Sequence, residues 1–164
     1  MDIISVQQND DNVIKLIESL ADEIWKEHYT SIIGIEQVEY MLDKFQSSKA
    51  IKKQLEEGYI YYLLEDNGTP AGYFSLIKQD NVLFLSKLYI KSSFRGKGAG
   101  RKSVEYITNI AKGENLDKIR LTVNKYNHNS IEAYKKFGFV IVDSVVNDIG
   151  AGFVMDDYIM EKTV

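Results

Sequence analysis

At 164 residues, with 45% hydrophobic and 27% charged side chains, the chain has the make-up of one compact globular domain, not of a disordered or fibrous protein. Twenty Lys and Arg against 24 Asp and Glu leave a formal charge of −4, which argues against nucleic acid as the main partner because phosphate binding shows as a basic excess. The absence of cysteine excludes disulfides, thiolate metal sites and a cysteine nucleophile.

The N-terminal Met-Asp-Ile-Ile-Ser lacks a basic region followed by an apolar stretch, and no apolar run approaches the ~20 residues of a membrane span. A cytoplasmic protein without membrane contact is the expectation. Residues 2–6 alternate weakly and read as a first strand. Over residues 10–28, Val13, Leu16, Ile17, Leu20, Ile24 and Trp25 recur at helical spacing, with Asp10 or Asp11 as cap. Residues 35–45 repeat the pattern with Val38, Met41, Leu42 and Phe45. Ser47 or Ser48 then caps a short third helix that Gly58 ends.

The pattern changes at Tyr59. Residues 59–64 read as a strand closed by the turn Asp66-Asn67-Gly68, residues 71–77 as its return with Pro70 at the edge, and residues 82–90 as a third strand after Gln79-Asp80-Asn81. A helix over 98–111, a strand over 118–123, a helix over 130–137 stopped by Gly138, and strands over 139–146 and 153–160 complete the chain. No repeat or linker interrupts residues 1–164, so a single α+β domain is expected, with a mixed sheet and helices on its faces.

Between the third meander strand and the next helix lies Arg95-Gly96-Lys97-Gly98-Ala99-Gly100-Arg101-Lys102-Ser103. Glycines let successive N–H groups converge, the helix adds the positive end of its dipole, and the basic side chains add charge, so the segment suits an anion. The alternative is a solvated basic loop. A triphosphate loop is excluded, because Arg101 stands where the second glycine belongs before Lys102-Ser103. A dinucleotide loop lacks the GxGxxG spacing and an acidic residue after 118–123.

The segment resembles the acetyl-CoA signature of the GNAT superfamily, [Arg/Gln]-x-x-Gly-x-[Gly/Ala], met by Arg95, Gly98 and Gly100. A second motif similar to that family's follows in order: Asn127-x-x-Ser130-x-x-x-Tyr134-x-x-x-Gly138-Phe139. The resemblance implies the GNAT fold, a mixed and mostly antiparallel sheet of six to seven strands flanked by helices, and N-acetyl transfer from acetyl-CoA. It implies that Leu88, Tyr89 and Ile90 pair with the pantetheine arm. The diphosphate would fall to the amides of Gly96, Lys97, Gly98, Ala99 and Gly100, with Arg95 and Arg101 nearby, and Asn127 would add a further contact. Tyr134 takes the position of the family's acid, which protonates the leaving thiolate, and an N–H near Leu88 polarises the thioester carbonyl.

The base stays open. The family's fourth-strand glutamate aligns with Phe84, and Glu23, Glu27, His28, Asp156 and Asp157 are candidates. By the same resemblance the first helices and last strands shape the acceptor pocket, and these offer Trp25, His28 and Tyr29, spaced along one helical side, with Asp156, Asp157 and Tyr158; aromatics mixed with carboxylates suit a cationic amine. The stretch Ala133-Tyr134-Lys135-Lys136-Phe137-Gly138-Phe139-Val140 and the ending Asp157-Tyr158-Ile159-Met160-Glu161-Lys162 look like the bacterial polyamine N-acetyltransferases. Proteins, amino acids and aminoglycosides remain open as acceptors, as do a homodimer and a non-catalytic acyl-CoA-binding module. No metal site is indicated.

Overall fold

A computed structural model describes residues 1–164. The elements run β1 (Asp2–Ser5), α1 (Asp11–Ile33), α2 (Ile35–Gln46), α3 (Ser48–Glu56), β2 (Ile60–Asp66), β3 (Thr69–Gln79), β4 (Val82–Ile90), a 3-10 turn (Ser92–Phe94), α4 (Ala99–Gly113), β5 (Lys118–Asn124), α5 (His128–Lys136), β6 (Val140–Gly150) and β7 (Phe153–Thr163). Seven strands take the order β1-β2-β3-β4-β5-β7-β6. Only β4 and β5 are paired parallel among the neighbours β1/β2, β2/β3, β4/β5, β5/β7 and β6/β7. That is a mixed, mostly antiparallel α+β sheet flanked by helices, as expected from the sequence. No helix is long and apolar enough to cross a membrane.

The chain divides into two compact units. The first comprises Met1–Ile77 and Lys87–Gly100. In it α1 buries Ile14, Ile17, Leu20, Ala21, Ile24 and Trp25, an i, i+3, i+4 stripe that takes in Ile14 and Ala21 and leaves the expected Val13 and Leu16 half-buried at its margin. Each of the isoleucine and leucine side chains contributes roughly 1.5–3 kcal/mol when fully buried. The helix runs to Ile33, five residues past its expected end at 28, because nothing breaks it before Gly34. Asp10 is its N-cap, but only the backbone serves: Ile14 N donates to the Asp10 carbonyl at 3.0 Å, and the side chain makes no capping bond. Ser47 does cap α3, its hydroxyl accepting from Ala50 N at 3.2 Å. The β2/β3 hairpin buries Tyr61, Leu63 and Tyr73 on one face and Leu64, Phe74 and Leu76 on the other; on the first face Tyr61 and Tyr73 donate to Gln54 of α3 and Gln46 of α2. Pro70 lies inside β3, beside a bulge at Leu64/Glu65.

The second unit comprises Lys78–Ser86 and Arg101–Val164. Val104, Ile107, Ala111, Ile119, Leu121, Val123, Phe139 and Met160 form its core. Strands β6 and β7 each span 11 residues, longer than expected, because the turn at Ala151-Gly152 lets the ladder continue to Gly150↔Phe153.

Candidate functional site

In the first unit the end of β4 is tied down from two directions. Lys91 N donates to the Ala71 carbonyl at 2.8 Å. A Cβ on Gly72 would stand 2.2 Å from the Tyr89 carbonyl oxygen and 3.0 Å from the Ile90 Cα, so only glycine permits this approach of β3 to Tyr89 and Ile90. Sequence reading missed this constraint at Gly72; its signal was an isolated glycine inside a strand pattern. The parallel ladder of β4 with β5 spans only Val82–Phe84 against Lys118–Arg120, yet β4 continues to Ile90.

Beyond Ile90 the chain makes the 3-10 turn and reaches the glycines. Arg95 Nε donates to the Ile90 carbonyl at 3.0 Å, folding the side chain back on the strand end. Gly96 and Gly98 have φ of +74° and +86°, the left-handed region that only glycine enters freely, and with Lys97 between them they give the alternating backbone from which anion-binding nests are made. The N–H groups of Gly96, Lys97 and Gly98 have no partner within the protein. Nothing lies within 4 Å of where a Cβ would stand at either glycine, so the cradle is open. Helix α4 begins at Ala99, immediately behind it, and the Lys97 ammonium sits 5.7 Å from the Phe94 ring centre. This donor set fits a diphosphate: several unsatisfied N–H groups, a helix N-terminus and cations.

The three acceptor-side residues expected from the sequence stand together. Trp25 and Tyr29 stack at 4.4 Å, His28 meets Tyr29 edge-on at 4.8 Å, and the Tyr89 ring lies 5.5 Å from Trp25 and 6.4 Å from Tyr29. Trp25 is buried, so its packing role is real, but its indole Nε1 has no hydrogen-bond partner. Of the candidate bases on α1, Glu23 is paired with Lys91 at 3.3 Å.

Lys87 is also buried here, a feature the sequence did not announce. Its ammonium donates to the Phe45 carbonyl, Gln54 Oε1 and Tyr61 Oη, three acceptors for three protons. Burial pushes it down to about 7.

In the second unit Arg101 lies on α4 with its guanidinium 5.3 Å from the Phe137 ring centre. It borders a cavity of about 400 Å³ that Glu105, Lys112 and Lys162 also line. Asn127 is the N-cap of α5 and 2% exposed. Its N–H donates to the Asn124 carbonyl at 3.0 Å. Tyr134 lies on α5, half-buried, its ring edge-on to Phe139 at 5.5 Å. Phe84 is paired with Arg120, and β4 carries no carboxylate. Asp156 is matched by Lys125 at 2.8 Å. Asp157 is 3% exposed; burial, reinforced by the neighbouring Asp156 charge and opposed by Lys125, pushes its carboxyl up to about 6.

The family model described as Acetyltransferase (GNAT) family matches residues 17–139. The "Probable N-acetyltransferase san" of Drosophila melanogaster is 37% identical over 83 residues, covering 50% of this chain and 45% of that protein. The chain spans less than half the length of the curated relatives it matches. Among solved structures, the PaiA N-acetyltransferase of Thermoplasma acidophilum in complex with coenzyme A superposes with a TM-score of 0.82 at 23% identity over 100% of both chains. A chimera of the spermidine N-acetyltransferase SpeG from Vibrio cholerae reaches 0.71 at 18% identity, covering 99% of this chain and 96% of that one. At these identities the two structures establish a common fold.

Proposed function

Because the chain belongs to the acetyltransferase (GNAT) family, we propose that it moves the acetyl group of acetyl-CoA to a primary amine of a small molecule by direct attack in a ternary complex. The observation that carries this reading is the unsatisfied amide run at Gly96, Lys97 and Gly98 ahead of α4. These amides, with Ala99, Gly100, Arg95 and Arg101, take the diphosphate. Leu88, Tyr89 and Ile90 pair with the pantetheine arm and Asn127 adds a contact. The Tyr134 hydroxyl protonates the departing sulfur.

The acceptor in this reading is a polyamine. Support comes from the cluster of Trp25, Tyr29, His28 and Tyr89, whose ring faces attract ammonium groups. The fold shared with a spermidine N-acetyltransferase adds to it. The family match runs through residues of both units, which supports treating 1–164 as one domain. The reading includes a homodimer. Strand β6 lies at the end of the strand order and exposes Val140, Val142 and Val146 at 60%, 49% and 61%. A second copy that lays its own β6 alongside would pair the open edge and cover these valines. A cytoplasmic location is also part of it, checked by cell fractionation.

Release of CoA thiol from acetyl-CoA, measured with spermidine, a lysine peptide and an aminoglycoside, tests the reaction. Spermidine is expected to give the highest kcat/KM. Binding of CoA by calorimetry without thiol release from any amine would leave an acyl-CoA-binding module, the second reading that Phe84 in place of an acid favours. Tyr134→Phe is expected to lower kcat about a hundredfold with CoA affinity unchanged; an unchanged kcat removes Tyr134 as the acid.

A further inference from the structure

Two acids on one face of the β5/β7 ladder have opposite surroundings. The register sets Asn124, Thr122 and Arg120 of β5 opposite Asp157, Ile159 and Glu161 of β7, so these six side chains share a face. At one end Glu161 is neutralised by Arg120 at 2.6 Å and Lys118 at 3.2 Å. Although partial burial raises its carboxyl, the hydrogen bonds from Arg120 and Lys118 prevail and hold it below the usual range.

At the other end Asp157 is the only carboxylate among the buried polar side chains, and it has neither a hydrogen bond nor an ion pair. The one nearby cation, Lys125, is taken by Asp156 at 2.8 Å. The strand neighbours that flank it, Val123 and Asn124 on β5 and Ser144, Val145 and Val146 on β6, carry no charge; on β7 itself Asp156 adds repulsion and Tyr158 is neutral. A carboxylate on so largely buried a residue, with no cation of its own, is costly to the fold, so packing does not account for it. Its position does have a use. Asn124, directly opposite, accepts from Asn127 N, and Lys125 N donates to the Asp156 carbonyl at 3.1 Å, so Asp157 sits at the turn that opens α5 with Asn127 and Tyr134. Thr122, on the same face, is exposed and opens that face to solvent.

We infer that Asp157 is the proton acceptor for the incoming amine, an inference that rests on the acetyl-transfer reading above. Asp157 takes one proton from the ammonium and later gives it to solvent. The freed nitrogen lone pair forms the C–N bond to the thioester carbonyl carbon, and the C–S bond breaks with its electron pair on sulfur. Tyr134 supplies the proton to sulfur and is restored by the surplus proton on nitrogen, so one acetamide, one thiol and one solvent proton result. An acid titrating near 6 is ionised at neutral pH and is a stronger base than an ordinary aspartate.

The test is Asp157→Asn, which keeps shape and removes the base. With spermidine at pH 7, kcat/KM is expected to fall about a hundredfold or more, and the acid limb of the wild-type pH profile near pH 6 to vanish. CoA affinity by calorimetry should be unchanged. For a weakly basic amine that is already deprotonated at the assay pH, the loss should shrink to less than about tenfold, since less proton acceptance is required. In the free protein, folding of the wild type weakens as pH rises through about 6, because the raised pKa stabilises only the protonated state. The Asn variant should therefore melt increasingly above the wild type between pH 5 and pH 8, by several degrees. Retained kcat/KM with an intact acid limb overturns the inference, as does an equal loss for both kinds of amine or a variant less stable than wild type at pH 8. If wild type releases no thiol with any amine, the acetyl-transfer reading fails first and the inference falls with it.

Discussion

Lys87 shows how a single charged side chain can be tolerated inside a core. Its three protons meet three acceptors, one of them the Phe45 carbonyl in the last turn of α2, where the helix dipole favours a cation. Burial nonetheless holds the ammonium at about 7, far below its ordinary 10.5. The unfolded chain thus binds more protons than the folded one between these values, and stability should rise with pH across that window, on the order of 2 kcal/mol from pH 7 to 9. Urea denaturation at the two pH values checks this: Lys87→Met should abolish the rise, whatever its absolute stability. Neither Lys87 nor Asp157 stood out from the string of letters as buried charge, because desolvation depends on which strands and helices meet there. The turn at Gly96 and Gly98 was legible, since its requirement is local: a positive φ needs nothing beyond its own neighbours.

At the level of elements, the helical stripes and the β2/β3 turn followed from spacing and turn chemistry, and their ends shifted where no breaker was present. Helix α1 ran on to Gly34 and the β6/β7 hairpin was underestimated, as tertiary pairing extended strands whose residues alternate weakly. In the proposed reading, cofactor affinity depends on the loop before α4. A side chain at Gly98 would be strained at φ +86° and would occupy space that is now open. Gly98→Val is expected to weaken CoA binding at least about tenfold by calorimetry while lowering stability by only about 1 kcal/mol. Unchanged affinity in the folded variant would remove the loop from the cofactor site.

For the molecule as a whole, the two motifs in order conveyed the family and the sheet, because a fold signature is carried by widely separated residues on known elements. The acceptor was less legible, since it depends on which side chains converge and not on any one of them. Association is testable at this scale. Light scattering coupled to gel filtration should report a dimer, and Val146→Lys, placing a charge on the β6 edge, should return it to monomer. A monomeric wild type would dispose of the pairing.

The glycine loop has one more consequence. Arg95 and Lys97 are exposed on a segment with unpartnered amides, which is the kind of backbone a protease can draw into its cleft. Trypsin should nick the native chain there ahead of its other basic residues, yielding fragments that end or begin between residues 95 and 98. Saturating coenzyme A should slow that cut severalfold, turning a digestion time course into a gauge of occupancy that requires no knowledge of the acceptor.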